Sequence, residues 1–188
     1  MWRLLFFFSA VSIAGVLIAR WWFGMRVLGS EGKRVCRCDL EKWMPPPDDT
    51  AVIHRAEETA DEFGKQLRLR ALLEWKDIDP KRAASRESSR RFGMAVPPLS
   101  GVVALMAVLV AKIPIFGALA AFLAATSLSA ILGVMSLAPE LQAIMSASRR
   151  LRENKSFPNR DDEEAVIRCA IAHAWKDALP PILQMLQR

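Results

Sequence analysis

Apolar positions run almost without a break from Phe92 to Leu137, interrupted only at Lys112-Ile113-Pro114. An α-helix rises 1.5 Å per residue and needs about 20 apolar residues to cross a hydrocarbon core, so the stretch is long enough for two crossings. Pro114 lacks a backbone donor and Lys112 strongly disfavours the bilayer centre. The pattern therefore predicts a transmembrane hairpin, with arms over 92–111 and 113–137 and its turn at an interface. Gly101, Gly117 and Gly133, with the serines and alanines around them, supply small surfaces that let membrane helices approach closely.

A second apolar run, Leu4 to Ala19, carries no charge and closes on Arg20-Trp21-Trp22-Phe23, where an arginine can snorkel and indoles favour the headgroup region. Trp21 and Trp22 stand where a small-x-small cleavage site would lie, so the run reads as a retained anchor rather than a signal peptide. Beyond it, Pro45-Pro46-Pro47 marks a stiff linker and Asp48-Asp49-Thr50 offers helix N-caps. Ile53, Ala56, Ala60, Phe63, Leu67 and Ala71 then repeat at three and four, predicting an amphipathic helix over 51–76 that Asp79-Pro80 ends. Lys81 to Arg91 is a basic lead-in to the hairpin.

After the hairpin, Leu137-Ala138-Pro139-Glu140 leaves the membrane, Leu141 to Leu151 is expected to stay helical, and Asn154 to Arg160 reads as a turn. Asp161-Asp162-Glu163-Glu164 suits the positive end of the helix dipole and opens a final helix over 165–186, which Pro180-Pro181 should kink. Arg168, His173, Lys176 and Asp177 argue against an ordinary span there. Packing against the hairpin, or lying at the interface, is the expectation. The fold class is an all-α integral membrane protein: a transmembrane anchor over 1–28, a cytoplasmic linker and amphipathic helix over 29–91, a transmembrane helical hairpin over 92–140 and a C-terminal, membrane-associated helical region over 141–188.

Charge adds an orientation. Arg20, Arg26, Lys33, Arg34 and Arg37 follow the first span while Arg3 precedes it, and basic clusters flank both ends of the hairpin against Lys112 alone at its tip. The positive-inside rule then places the N-terminus outside, residues 24–91 in the cytoplasm and the hairpin tip outside, consistent with a bacterial cytoplasmic (inner) membrane. A net charge of +6 is thus assigned to anionic lipid headgroups rather than to nucleic acid. Cys36, Cys38 and Cys169 make an odd set in a reducing compartment and read as free thiols rather than a metal site.

The order of elements resembles the bacterial membrane-bound neutral zinc metallopeptidase family. Arg91-Phe92-Gly93-Met94-Ala95-Val96-Pro97 is similar to that family's entry into its hairpin. Leu137-Ala138-Pro139-Glu140 followed by Ala147-Ser148-Arg149-Arg150 is similar to its exit, and Val166 to Leu179 to its alanine-rich terminal helix. The likeness covers about half the chain and implies a zinc-binding His-Glu-x-x-His helix, in which the glutamate activates a metal-bound water. This chain has no such motif. Its nearest segment is Ala56-Glu57-Glu58-Thr59-Ala60-Asp61-Glu62, with Glu57 and Asp61 at the histidine positions and Glu58 at the catalytic one.

On a helix, His54, Glu58 and Asp61 would share one face, readable either as a solvated acidic face or as a cation site. His173 would join them only through tertiary packing. Two functions follow. One is a non-catalytic membrane protein, a degenerate relative acting as a scaffold or interaction subunit for a protein partner, without a cofactor. The other is a zinc-dependent membrane peptidase with Glu58 as the catalytic residue and Glu57, Asp61 and His54 as metal ligands. The first is preferred, since no neutral nitrogen remains in the paired positions. A channel or transporter subunit is disfavoured because the spans carry no charge besides Lys112. Homo-oligomerisation is left open.

Overall fold

Long uncharged stretches fold here into helices whose backbone groups are satisfied within the segment, as hydrocarbon requires. The computed structural model describes residues 2–39, 42–43, 56–110 and 113–178. Its elements are α1 (Trp2–Arg20), a π-helical turn (Trp21–Met25), α2 (Arg26–Ser30), β1 (Val35–Arg37), β2 (Glu57–Thr59), α3 (Ala60–Ile78), α4 (Pro80–Leu109), α5 (Ile115–Met135), α6 (Leu137–Glu153) and α7 (Arg160–Asp177). Three helical stretches, Trp2–Ser30, Pro80–Leu109 and Ile115–Glu153, are long and apolar enough to cross a membrane. The chain is an all-α membrane protein, with one short strand pair among the described residues.

The described residues fall into two compact units. One comprises 1–19, 85–136 and 178–188, the other 20–84 and 137–177. In the first, α4 contains Pro97 and Pro98. Pro97 has no N–H to give the carbonyl one turn earlier, that of Gly93, and the Ser129 hydroxyl of α5 donates to that carbonyl instead. Glycine at 93 and at 101 lets α5 come near, with Ser129 and Phe122 seated against them. Pro114 precedes α5, its carbonyl accepting from the amides of Gly117 and Ala118 at 2.8 and 3.2 Å. From α1, Phe6 stacks on Phe116 and Ile13, Val16 and Leu17 pack against the buried Ala130. Leu99, Val102, Val103, Leu105 and Leu109 of α4 face outward, as lipid-contacting side chains do.

In the second unit α7 packs on α3 and α6, burying Ala165, Val166, Cys169, Ala170 and His173 of α7 and Phe63 and Leu67 of α3. The helices α3 and α7 meet at Gly64, where an added Cβ would lie 2.7 Å from Cys169 Cβ and 2.9 Å from Ala170 N. Trp43, Phe63 and Phe157 pack edge to face, with ring centroids 5.3 to 5.7 Å apart, and the Trp43 indole donates to Gln66 Oε1 at 3.2 Å. The π-helical turn brings Gly24 against Ala172 and Trp175 of α7, and Phe23 stacks on Trp175 at 5.3 Å.

Several sequence expectations need correction. The helix predicted over 51–76 starts only at Ala60, because Glu57–Thr59 pairs antiparallel with Val35–Arg37 and Thr59, in extended conformation, caps α3 by accepting from Glu62 N. Residues 44–55, with the linker and the first predicted caps, lie outside the described residues, as do Lys112 and Pro180-Pro181. The lead-in to the hairpin is helical from Pro80. Arg20 does not snorkel; it is 4 % exposed, in the field of Asp177. The final helix begins at Arg160, where Asn159 Oδ1 accepts from Asp161 N at 3.2 Å, and within the second unit it packs on α3, α6 and the π-helical turn.

The close approach at Gly64 sets a first expected outcome. Gly64→Ala removes a helix glycine but forces a methyl into Cys169, and overpacking of that kind costs about 1–3 kcal/mol, more than the ~1 kcal/mol gained in helix propensity. Thermal unfolding in detergent should fall for Gly64→Ala and hold or rise for Gly29→Ala, whose Cβ meets nothing within 4 Å. Equal midpoints would contradict the packing described.

Candidate functional site

The acidic segment that stands in place of the zinc motif is split between two elements. Glu57 and Glu58 lie on β2, opposite Arg37 and Cys36, whereas Asp61 lies in the first turn of α3. Successive residues of a strand point to opposite faces, so Glu57 and Glu58 diverge. Glu57 is exposed and lies 3.7 Å from Arg37 Nε, while Glu58 Oε1 accepts from Thr59 N at 3.2 Å. His54 lies outside the described residues. Glu58 and Asp61 therefore share no helical face, because the backbone at Glu58 is extended.

Tertiary packing instead joins Asp61 to His173. Packing of α3 on α7 brings His173 Nε2 to 2.8 Å from Asp61 Oδ1, and Lys65 Nζ of the next turn lies 2.7 Å from Asp61 Oδ2. The His173 side chain is 7 % exposed. Burial pushes its imidazole below the ordinary value, outweighing the attraction of Asp61, and Lys65 and Arg68 act in the same direction as burial. For Asp61 burial acts upward, but the hydrogen bonds and charges of Lys65 and His173 outweigh it and hold the carboxyl below its usual range. The pair is thus a neutral imidazole donating to a carboxylate.

Near it, the three thiols are buried and suppressed. Burial raises Cys169 to about 12, with Asp61 and Glu31 adding to the effect, and raises Cys36 and Cys38 to about 11. A thiol so held is a poor nucleophile at neutral pH. Among the described residues no group of three His, Cys, Asp or Glu side chains is placed to hold a metal ion. The described members of the expected zinc set do not converge: Glu57 and Glu58 diverge, and Asp61 already accepts from a cation and an imidazole N–H.

A second cluster was not foreseen from the sequence. Arg68 Nε donates to Glu140 Oε1 at 2.6 Å and its Nη1 to Asp177 Oδ2 at 2.5 Å, so one guanidinium joins α3, α6 and α7. Burial acts against its protonated form, yet the two carboxylates outweigh it and raise Arg68 above the ordinary value. A signal was present. Glu140 lies at helical spacing from Leu137, Ala143 and Ile144, on the face that α6 buries, and a buried carboxylate requires a cation.

The imidazole gives a pH dependence. In the unfolded chain His173 takes up a proton near 6.5, and in the fold it does so only at lower pH. Between these values the unfolded chain binds more protons, so stability falls as pH drops below 6.5. Unfolding midpoints measured from about pH 7.5 down to about pH 5.5 should decline more steeply for the wild type than for His173→Gln, the window set by this linkage. Parallel curves would show that the imidazole is not buried neutral. Set against protein-family models, curated proteins and solved structures, the chain matches none of them.

Proposed function

We propose that this chain is a non-catalytic integral membrane protein, a scaffold or interaction subunit that keeps the membrane architecture of the neutral zinc metallopeptidase family without its zinc chemistry. The observation that supports this reading is the state of Asp61. Its two carboxylate oxygens are taken by Lys65 Nζ and His173 Nε2, and an ammonium 2.7 Å from a carboxylate opposes a divalent cation by like charge. Glu58, the residue aligned with the catalytic glutamate, sits on a strand and serves the cap of α3. Of the side chains that resemble a metal motif, Asp61 holds α3 against α7 and Glu58 bonds the amide of the residue that caps α3.

In this reading the second unit lies on the cytoplasmic side of a bacterial inner membrane and offers a surface to a protein partner. That surface is not the apolar stripe of α3, which α6 and α7 cover; Leu69 and Ile78 are the large apolar side chains that α3 leaves exposed.

Metal analysis of the detergent-purified full chain, coupled to a peptidase assay on wild type and Glu58→Gln, tests the chemical half of the proposal. Zinc well below one per chain, with no peptide cleavage in either protein, is expected. One zinc per chain with cleavage abolished in Glu58→Gln would establish the peptidase instead. The orientation is tested separately with reporters: a fusion after Ile78 should read as cytoplasmic and one inserted at Lys112 as external, and the reverse pair would overturn the positive-inside assignment.

A further inference from the structure

Away from Asp61 and His173, the second unit contains an open cleft of about 870 Å³. Arg37, Lys42, Arg152, Lys155 and Arg160 border it against two carboxylates, Asp39 and Glu163, and Phe157 and Pro158 give it an apolar wall. The volume lies within the range of about 300–1,000 Å³ usual for small-molecule sites. Two segments distant in sequence supply the cations: β1 with the residues just after it, and the connection from α6 to α7 with its flanking turns. Four of the cations have carboxylate partners, Lys42 with Asp39 at 3.0 Å, Arg152, through Nε, with Glu163 at 2.7 Å, Arg37 with Glu57 at 3.7 Å and Arg160 with Glu164 at 3.6 Å. That use of Nε leaves the Nη groups of Arg152 as further donors.

Lys155 is the unusual member. It is the one described non-glycine residue with a positive φ, 50°, and it closes α6 with its amide bonded to Arg152 O at 3.1 Å. Glycine or asparagine normally takes that left-handed position, and an asparagine stands immediately before it. A lysine there is strained, while no ion pair joins its ammonium to a described carboxylate. Backbone strain at a lysine that has no carboxylate partner among the described residues, on a cleft bordered by four further cations, is the kind of feature that marks a ligand site.

We propose that this cleft binds a phosphate group, with Lys155, Arg152 and Arg37 as its principal donors and Phe157 against the apolar remainder of the molecule. A lipid headgroup and a soluble phosphate ester share this chemistry. Guanidinium and ammonium donors suit phosphate oxygens, and each charge-assisted bond lost should weaken binding by roughly a factor of ten.

The test uses the full chain in phosphatidylcholine nanodiscs, titrated calorimetrically with inorganic phosphate and with glycerol phosphate. Wild type should bind both, Lys155→Arg should retain binding, and Lys155→Gly combined with Arg37→Gln, which removes two donors, should weaken it by roughly a hundredfold. Arg152 is left intact because its partner Glu163 is buried. Arg82→Gln, an exposed cation on α4, should have no effect. Lys155→Gly relieves the left-handed strain, so its unfolding midpoint is a check that lost binding is not lost fold. Repeating the titration in nanodiscs containing phosphatidylglycerol separates the sources: suppressed binding assigns the cleft to a lipid headgroup, unchanged binding to a soluble ester. Absence of binding by wild type, or equal binding by the folded double variant, overturns the proposal.

Discussion

Every polar group that leaves water in this protein must find a partner inside it, and both units are arranged around that constraint. In the hairpin it acts on one carbonyl. Pro97 withdraws the donor that Gly93 O would have had, and in hydrocarbon an unsatisfied carbonyl is costly enough that a helix cannot simply leave it open. Ser129 answers from the facing helix, so the bond that repairs α4 also fixes the register of α5 against it. A proline that would weaken an isolated helix becomes a point of attachment. The neighbouring glycines matter for the same reason, since a hydroxyl on α5 reaches a backbone oxygen on α4 only where no side chain intervenes.

In the second unit the same requirement falls on Glu140, which is 2 % exposed. Its cation is Arg68, and because the guanidinium is a fork it also takes Asp177, so three helices meet on one side chain. Such a network contributes more to uniqueness of arrangement than to net stability, as a hypothesis for this fold, because the desolvation of three charges offsets much of their attraction. One turn away, Asp61 and His173 make the smaller, half-neutral version of the same contact. Helices α3 and α7 are thus held by polar bonds on either side of the Gly64 close approach, with apolar contact between.

The spans were legible because their signal is continuous: twenty uncharged residues in a row admit few other structures in lipid. The start of α3 was not. Ala56 and Ala60 fit the helical repeat of Ile53, Phe63 and Leu67, yet pairing with Val35–Arg37 draws Glu57–Thr59 into a strand, and a three-residue ladder to a distant segment leaves no periodic trace. The assumed helix made Glu57, Glu58 and Asp61 look like a displaced metal motif. Once Thr59 rather than Asp48, Asp49 or Thr50 is the cap, that spacing loses its geometric meaning. His173 illustrates the opposite case, a residue whose role depends wholly on long-range packing and which the sequence could only mark as out of place in an apolar helix.

The positive net charge also divides differently from what the linear sequence suggests. Counted along the chain, the cations beside the spans look like one lipid-facing population. Within the fold, Arg34 pairs with Asp162 at 2.8 Å, Arg150 with Glu74 at 3.1 Å and Arg152 with Glu163 at 2.7 Å, so many of them hold α3, α6, α7 and the strand segment together. These remain usable as topological signals, because orientation is decided by lysine and arginine near the spans whether or not they later find carboxylates. Arg34 and Arg150, tied to carboxylates on other elements, are not, however, available to headgroups. The cations that stay on the surface in excess gather at two places, the first turns of α4 and the cleft at the end of α6. An arrangement that ties Arg34, Arg68 and Arg150 to carboxylates on other elements, yet leaves a strained lysine facing a cleft, separates the charges that position the chain from those that can recognise something else.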